Sequence, residues 1–509
     1  MKYCLTLLFA ASLVFAQEDR PRPSGESAQK PIPPEASTPT RHELTIGGKT
    51  VRYTATAGTL LIRDDEDRPN ASVFYVAYTA DGVADLKSRP VTFLYNGGPG
   101  SASLWLHMGS VGPVRVVTAS PEATGPGPYQ LLPNEYSLLD KSDVVFVDAV
   151  GTGYSRPVGR AADRDFAGVD QDIRAFARFI ERYITVNQRW NSPKYLIGES
   201  YGTLRSAGLA AALENDGASL NGIVLVSSIL NYGVRQPGTD NVFIGNLPSY
   251  AAIAWQHNKL ARKPADLKKY LDEVRAFARG PYAEALSQGH DLPAAQFDSV
   301  AAKVAAYTGL RVQYVKDSNL RLEPSRFRKE LLRDEHLIIG RYDARFQGTD
   351  VDAAGDTPGY DPSSSGITGA YIAALHDYLS RELKYTTQET YRPRGSLSQN
   401  WDWHHRPPSA GGPAAGPGRG QLQPWVGADL ADAIRKNPRL KVLSVNGYYD
   451  LATPFFLTEI DLSHMLLEPK LRKNVEFTYY PSGHMIYLNI DALKQLKSDL
   501  AAFYDSTSK

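Results

Sequence analysis

The chain has 509 residues, and its 56 Lys and Arg nearly balance its 55 Asp and Glu, for a formal net charge of +1. This balance, with 42% hydrophobic and 22% charged residues, is ordinary for a globular protein and gives no indication of a nucleic-acid or membrane-surface partner. The length predicts one large domain with an insertion, or two to three domains.

The N-terminal residues 1–16 (MKYCLTLLFAASLVFA) have the pattern of a secretory signal peptide. The apolar run after Lys2 is too short to span a bilayer, which takes about 20 residues. We expect cleavage after Ala16; the alternative is an uncleaved anchor. Cys4 is the only cysteine, so the mature chain would have no disulfide, which favours a bacterial exported protein, periplasmic or secreted.

Residues 17–41 are rich in Pro, Ser and Glu, and this composition predicts a disordered linker. From residue 43 onward, apolar and polar residues alternate between Gly and Asp breaks, which is typical of antiparallel strands. The segments concerned are ELTIGG, TVRYTATAG, TLLIRD and SVFYVAYTA.

Short and wholly apolar runs follow, of the kind that predicts strands buried on both faces of a parallel sheet. They are residues 91–96, 143–149, 194–199, 222–228 and 440–447. Helical patterns lie between some of them, at 168–187 and 201–214. This alternation predicts an α/β fold.

Between residues 232 and 424 the alternation stops and the pattern becomes mainly helical, ending in the Gly/Pro-rich stretch 411–420. We therefore predict a helical cap, 232–424, inserted between two parts of an α/β core, 42–231 and 425–509.

The sequence Gly198-Glu199-Ser200-Tyr201-Gly202 has the spacing G-x-S-x-G. This spacing also arises by chance. Here, however, it joins a predicted strand to a predicted helix, as the elbow of a nucleophilic serine requires. We predict Ser200 as a nucleophile, with the start of the helix directed at its oxyanion.

A nucleophilic serine needs a base, and two residues fit the chain order Ser, Asp, His. Asp450 follows the strand pattern VLSVNGYY, and His484 follows VEFTYYPSG. His484 would take the serine proton, and Asp450 would hold its tautomer. The alternative is an ordinary loop aspartate and a surface histidine.

Residues 96–100 (NGGPG) come directly after the buried run VTFLY. A loop of this composition exposes backbone N–H groups and could give a second oxyanion donor, beside the N–H of Tyr201. The alternative is a simple structural turn.

Five motifs together resemble the serine carboxypeptidases. They are NGGPG with SAS behind it, VDAVGTGYS, GESYG, the D…T pair of YYDLAT, and GHM. The resemblance implies a bacterial, exported member of that family. Its α/β-hydrolase fold would have a mostly parallel central sheet, antiparallel strands at the N-terminus and an inserted cap. It further implies removal of C-terminal amino acids from peptides through an acyl-enzyme, without a metal or organic cofactor.

Carried over by motif position, the family's triad is Ser200, Asp450 and His484, and its oxyanion N–H groups are those of Gly98 and Tyr201.

The resemblance also explains the acidic residue before the serine. In that family the matching glutamate and the asparagine of NGGPG bind the terminal carboxylate of the substrate; here they are Glu199 and Asn96. Because one carboxylate cannot accept a hydrogen bond from another, Glu199 would have to be protonated.

Three positions depart from the family pattern. Ser110 stands where the family has a second glutamate, Leu94 where it has a tryptophan, and Ser101 where it has a cysteine. The lost glutamate removes half of a carboxylic pair, which leaves two other functions to consider. One is an esterase or acyltransferase with the same triad, and the other is an inactive binding protein.

The expected partners are peptides with a free C-terminus. We expect no nucleic acid and no stable membrane insertion after signal cleavage, and a homodimer is compatible with the sequence. Two further patterns resemble metal sites. The segment WDWHH (401–405) is better interpreted as cleft lining or packing, and the aspartates at 350, 352, 356 and 361 as an acidic loop, not a calcium loop.

Overall fold

The structure is a computed structural model that describes residues 29–407 and 422–507. The expected signal peptide, residues 17–28 of the expected linker and the Gly/Pro-rich stretch lie outside these residues. Among the described residues, none of the helices is both long and apolar enough to cross a membrane.

The strands are short in the second half of the chain and long at its start. They are β1 (Ala36–Ile46), β2 (Lys49–Arg63), β3 (Pro69–Ala80), β4 (Val91–Tyr95), β5 (Val114–Val116), β6 (Leu131–Pro133), β7 (Asp143–Val147), β8 (Arg156–Pro157), β9 (Lys194–Glu199), β10 (Gly222–Val226), β11 (Leu337–Ile339), β12 (Gln347–Thr349), β13 (Lys441–Gly447) and β14 (Val475–Tyr480).

The α-helices cluster between β10 and β13. They are α1 (Leu104–Gly109), α2 (Val169–Val186), α3 (Tyr201–Asn215), α4 (Asn241–Gln256), α5 (Leu267–Phe277), α6 (Ala283–Gln288), α7 (Ala294–Thr308), α8 (Val312–Asp317), α9 (Pro324–Glu330), α10 (Pro362–Asp377), α11 (Gly427–Lys436), α12 (Phe455–Ser463), α13 (Pro469–Arg472) and α14 (Ile490–Thr507).

One sheet organises the molecule, with strand order β1-β2-β3-β7-β4-β9-β10-β13-β14 and β8 paired to β3. The first three strands and the β3–β7 pair are antiparallel, and every pair from β7 to β14 is parallel. Helices α2, α3 and α11 cover one face, and α1, α10 and α14 cover the other. The predicted α/β fold, mostly parallel with antiparallel strands at the N-terminus, is confirmed.

The predicted buried runs become β4, β7, β9, β10 and β13, and the two helical patterns become α2 and α3. Their pattern was readable because strands covered on both faces carry almost no polar residues.

The expected linker is wrong at its end, because β1 begins at Ala36 and not after residue 41. Residues 36–46 pair in continuous register with 59–49 of β2. An edge strand tolerates Pro39 and a mostly exposed, polar side-chain pattern, since its stability comes from backbone pairing. The composition of residues 36–41 therefore resembles that of a linker, although the segment is a strand.

The inserted segment packs in two different ways. Helices α4 to α9 share a hydrophobic core with Tyr449, Leu451 and Phe455. Helix α10, in contrast, packs on the sheet face through residues such as Ile367 and Tyr371. The boundaries 232–424 of the cap stay a prediction.

Candidate active site

Ser200 lies at a sharp turn between the end of β9 and the start of α3. Its backbone has φ 61° and ψ −130°, an unfavourable conformation for a residue with a side chain. A Cβ on Gly198 would lie 2.2 Å from the carbonyl oxygen of Gly202, so the turn leaves no room for a side chain at position 198. The strand–turn–helix context predicted for Ser200 is present.

Asp450 and His484 lie beside Ser200, on the loops that follow β13 and β14. The Nδ1 of His484 is 2.7 Å from Oδ2 of Asp450, and both side chains are buried. The backbone N–H groups of Ala452 and Thr453 donate to Oδ1 of Asp450, at 2.7 and 3.0 Å. With Nδ1 donating to the carboxylate, Nε2 is the nitrogen available to take the serine proton.

The protein holds the imidazole by its backbone as well. The N–H of His484 donates to the carbonyl of Tyr342 at 2.6 Å. The carbonyl of His484 accepts from Ser227 Oγ, also at 2.6 Å. Burial lowers the pKa of His484, but the charge and hydrogen bond of Asp450 outweigh it, so that the pKa is raised above its ordinary value.

The loop of residues 97–100 packs directly on the start of α3. A Cβ on Gly97 would lie 2.4 Å from the backbone nitrogen of Tyr201, and Gly98 has φ 108°. Within the described residues, the N–H groups of Gly98 and Tyr201 donate to no protein acceptor. Gly98 borders the same cavity as Ser200, and Tyr201 directly follows the serine, so both predicted donors are available to an oxyanion there.

Glu199 and Asn96 form a buried pair at the same place. Asn96 Nδ2 donates to Oε1 of Glu199 at 2.7 Å, and the N–H of Leu106 donates to Asn96 Oδ1 at 3.0 Å, which sets the orientation of the amide. Glu199 is 3% exposed. Burial raises the pKa of Glu199 to about 7, so that the carboxyl is largely protonated at acidic pH.

Tyr487 is a site residue that sequence reasoning missed. Its hydroxyl donates to Oε2 of Glu199 at 2.8 Å, and its side chain is buried. Ser110, at the position of the family's second glutamate, instead donates to the carbonyl of Leu106 at 2.5 Å. The only sequence signal was the place of Tyr487 three residues after His484, which is too weak to assign a contact.

Five of the seven predicted site residues, all except Asp450 and Tyr201, border one cavity of about 260 Å³. Asn96, Glu199, Ser200 and His484 form its polar side. Apolar groups form much of the rest, namely Trp105, Ile367, Met485 and Leu488. Glu199 and Asn96 thus lie within the same small space as the nucleophile, which suits a ligand that ends in a carboxyl group.

The segment 401–405 packs behind the nucleophile. The rings of Trp401 and Trp403 lie 5.6 and 6.2 Å from the ring of Tyr201. His405 is buried between Asp170 and Asp429, at 2.7 and 3.0 Å. Burial lowers the pKa of His405, but the two carboxylates overcome it and raise the pKa to about 9.

Two aspartates of the acidic loop have protein partners of their own. Asp361 accepts from the backbone of Ser363 at the start of α10, and Asp350 forms an ion pair with Lys329.

Part of the chain is similar in sequence to a known protein family. Residues 48–278 match the model of the family described as "Serine carboxypeptidase". "Serine carboxypeptidase-like 29" of Arabidopsis thaliana is 28% identical over 178 residues, which are 34% of this chain and 34% of that protein. "Pheromone-processing carboxypeptidase KEX1" of Cryptococcus gattii is 32% identical over 154 residues, 29% of this chain and 22% of that protein.

The chain thus spans about a third or less of the length of these relatives. Among solved structures, a prohormone-processing carboxypeptidase from Saccharomyces cerevisiae, KEX1(delta)p, superposes with a TM-score of 0.54 at 14% identity. The match covers 89% of this chain and 92% of that one, and at this identity it shows the fold alone. Residues 48–278 are therefore similar in sequence to the serine carboxypeptidases, and the chain has the α/β-hydrolase fold.

Proposed function

We propose that the protein is a serine-type carboxypeptidase, which releases C-terminal amino acids from peptides through an acyl-enzyme. The observation that carries this proposal is the buried pair of Glu199 and Asn96 in the same cavity as Ser200 and His484. A neutral carboxyl beside a primary amide is suited to bind the terminal carboxylate of a substrate, and places the last peptide bond near the serine.

In the proposed reaction, Ser200 Oγ attacks the carbonyl carbon of the last peptide bond while His484 Nε2 takes its proton. Asp450 stabilises the imidazolium, and the N–H groups of Gly98 and Tyr201 donate to the oxyanion. The proton passes to the nitrogen of the leaving amino acid as the C–N bond breaks. Water, deprotonated by His484, then hydrolyses the ester and restores Ser200.

The protonated form of Glu199 is the one that binds. It donates its proton in a hydrogen bond to the substrate carboxylate and adds no negative charge beside the oxyanion. Because burial raises the pKa of Glu199 to about 7, substrate affinity is expected to fall as pH rises through that value.

The test compares an N-blocked dipeptide that has a free C-terminus with its C-terminal amide, from pH 4 to 9. The free acid is expected to be preferred, with KM rising above pH 7. In Glu199→Gln the side chain stays neutral, so the rise should disappear while the amide is unaffected. Equal rates for acid and amide at all pH values would contradict the proposal.

The absence of a second carboxyl at Ser110 favours one other candidate, an esterase or acyltransferase that uses the same triad. Hydrolysis of activated esters with no turnover of free-acid peptides would support it. A third candidate, an inactive binding protein, would be supported if a fluorophosphonate failed to label Ser200 in the folded protein.

We also propose that the protein is bacterial and exported, either periplasmic or secreted. The apolar run at residues 5–16 and the lack of cysteines after Cys4 support this location. The proposed chemistry uses only groups of the protein itself and water, and its partners are peptides.

A further inference from the structure

A second cavity, of about 610 Å³, is lined by Arg341 and by Leu451, which follows Asp450 in the chain. The carbonyl of Arg341 accepts from the N–H of Leu451 at 3.0 Å, and the carbonyl of Tyr342 accepts from the N–H of His484 at 2.6 Å. These two neighbours therefore bind the two loops that carry Asp450 and His484. One lines the second cavity, and the other lines the first.

Three arginines line this second cavity, and one of them is neutralised. Arg321 donates to both oxygens of Asp240, at 2.7 and 2.9 Å. Arg235 donates to the carbonyl of Ala452 at 2.7 Å. Within the described residues, neither Arg235 nor Arg341 forms an ion pair with a carboxylate.

The two unpaired guanidinium groups affect each other. The side chain of Arg235 reaches solvent through the cavity, but most of its surroundings are protein. This partial burial lowers the pKa of Arg235, and the charge of Arg341 lowers it further. Two cations that face a concave space favour an anion between them.

A buried amide adds a third donor. Asn246 is 1% exposed and lines the same cavity, and its Nδ2 has no hydrogen-bond partner among the residues that the structure describes. An unsatisfied buried donor is costly, and a bound acceptor would satisfy it.

The acidic groups nearby do not cancel these charges. Three arginines and two carboxylates, those of Asp240 and Glu323, line the cavity, so one positive charge stays in excess. Asp240 is already bound by Arg321, and Glu323 is exposed at the cavity wall. Behind Arg235, Asp450 is hydrogen bonded to His484, and burial raises the pKa of Asp461 to about 7.

We propose that this cavity is a subsite for an anionic side chain in the acyl part of the substrate. The enzyme would thus prefer peptides with an aspartate or glutamate on the N-terminal side of the scissile bond. This inference rests on the proposed function. Glu199 and Asn96 occupy the first cavity and take the leaving amino acid, so the acyl part must extend from Ser200 in another direction.

The test uses isosteric Glu and Gln peptides. Acetyl-Ala-Glu-Phe is compared with acetyl-Ala-Gln-Phe, and acetyl-Glu-Ala-Phe with acetyl-Gln-Ala-Phe. We expect kcat/KM to favour Glu about tenfold at one of the two positions, and less at high salt. Arg235→Gln and Arg341→Gln should each lower that ratio, and the double variant should bring it to about one.

Arg394→Gln is the matched control, because Arg394 is an exposed arginine that lines the first cavity. It should keep the Glu/Gln ratio. Loss of the ratio in Arg394→Gln but not in the double variant would overturn the assignment, as would a wild-type ratio of one or less at both positions.

The design separates the subsite from the proposed function. Release of Phe from the Gln peptides reports the carboxypeptidase activity by itself. If neither peptide is hydrolysed, the proposed function fails, and titration of the same pairs onto Ser200→Ala measures the preference without turnover. Equal affinity of Glu and Gln peptides for Ser200→Ala would overturn the subsite.

Discussion

Replacing Tyr487 by phenylalanine removes one hydrogen bond from Glu199 and little else. The ring remains to fill the space beside Gly109, where a Cβ would lie 2.6 Å from it. Oε2 of Glu199 loses the hydroxyl that donates to it at 2.8 Å, while Oε1 keeps Asn96. Since the hydroxyl donates, it stabilises the ionised carboxylate more than the protonated one.

The size of the effect follows from this difference. A hydrogen bond to a charged group is worth about 1.5–3 kcal/mol, and one to a neutral group about 1 kcal/mol. The difference of about 0.5–2 kcal/mol corresponds to roughly one pKa unit. Tyr487→Phe should therefore raise the pKa of Glu199 from about 7 to one unit higher.

The assay is the pH profile of kcat/KM for a free-acid peptide, with the corresponding amide as control. The alkaline fall for the free acid should move up by about one pH unit in Tyr487→Phe, and the amide profile should stay in place. The reasoning is refuted if the alkaline fall stays at its wild-type pH, moves down, or shifts equally for acid and amide.

Three further variants test the rest of the account. Asp450→Asn should lower kcat about 10⁴-fold with KM little changed, because His484 takes the wrong tautomer; a tenfold loss in steady-state kinetics would exclude this role. Arg205 is fully buried and donates to Asp172 at 2.7 Å, so Arg205→Met should cost about 3–5 kcal/mol in a denaturant titration, and a loss below 1 kcal/mol would argue against a coupled buried pair. Burial raises the pKa of Glu199 from 4.5 to about 7, so the folded state holds this proton and stability falls by about 3 kcal/mol as pH rises through that window. The Tm of Glu199→Gln should thus fall less between pH 5 and pH 8 than the Tm of wild type. An equal fall in both proteins would contradict the raised pKa.

The parts of the fold that were predictable were those in which sequence pattern and burial agree. The strands β4, β7, β9, β10 and β13 are mainly apolar and buried along almost their whole length, because helices cover both faces. The first part of β1, residues 36–42, was not predictable, since an edge strand is held by backbone pairing that leaves its composition free. The division of the inserted segment depends on tertiary packing of α10, which local pattern does not encode.

The candidate site divides in the same way. Ser200, Asp450 and His484 were found from motif and chain order, and the structure brings them to one sheet edge. Tyr487 could not be found, because its contact with Glu199 depends on the path of the loop after β14. The sequence shows that Ser110 departs from the family pattern. Only the geometry shows that Ser110 donates to the carbonyl of Leu106 and that Tyr487 donates to Glu199.

The most direct test of the proposed function is the mass spectrum of a peptide of ten residues after incubation with the protein at pH 5.5. We predict a ladder in which residues disappear one at a time from the C-terminus, and no ladder with Ser200→Ala or with the C-terminal amide of the peptide. Internal cleavage, or an intact peptide under conditions in which an activated ester is hydrolysed, would contradict the assignment of Glu199 and Asn96 as the receptor for a terminal carboxylate.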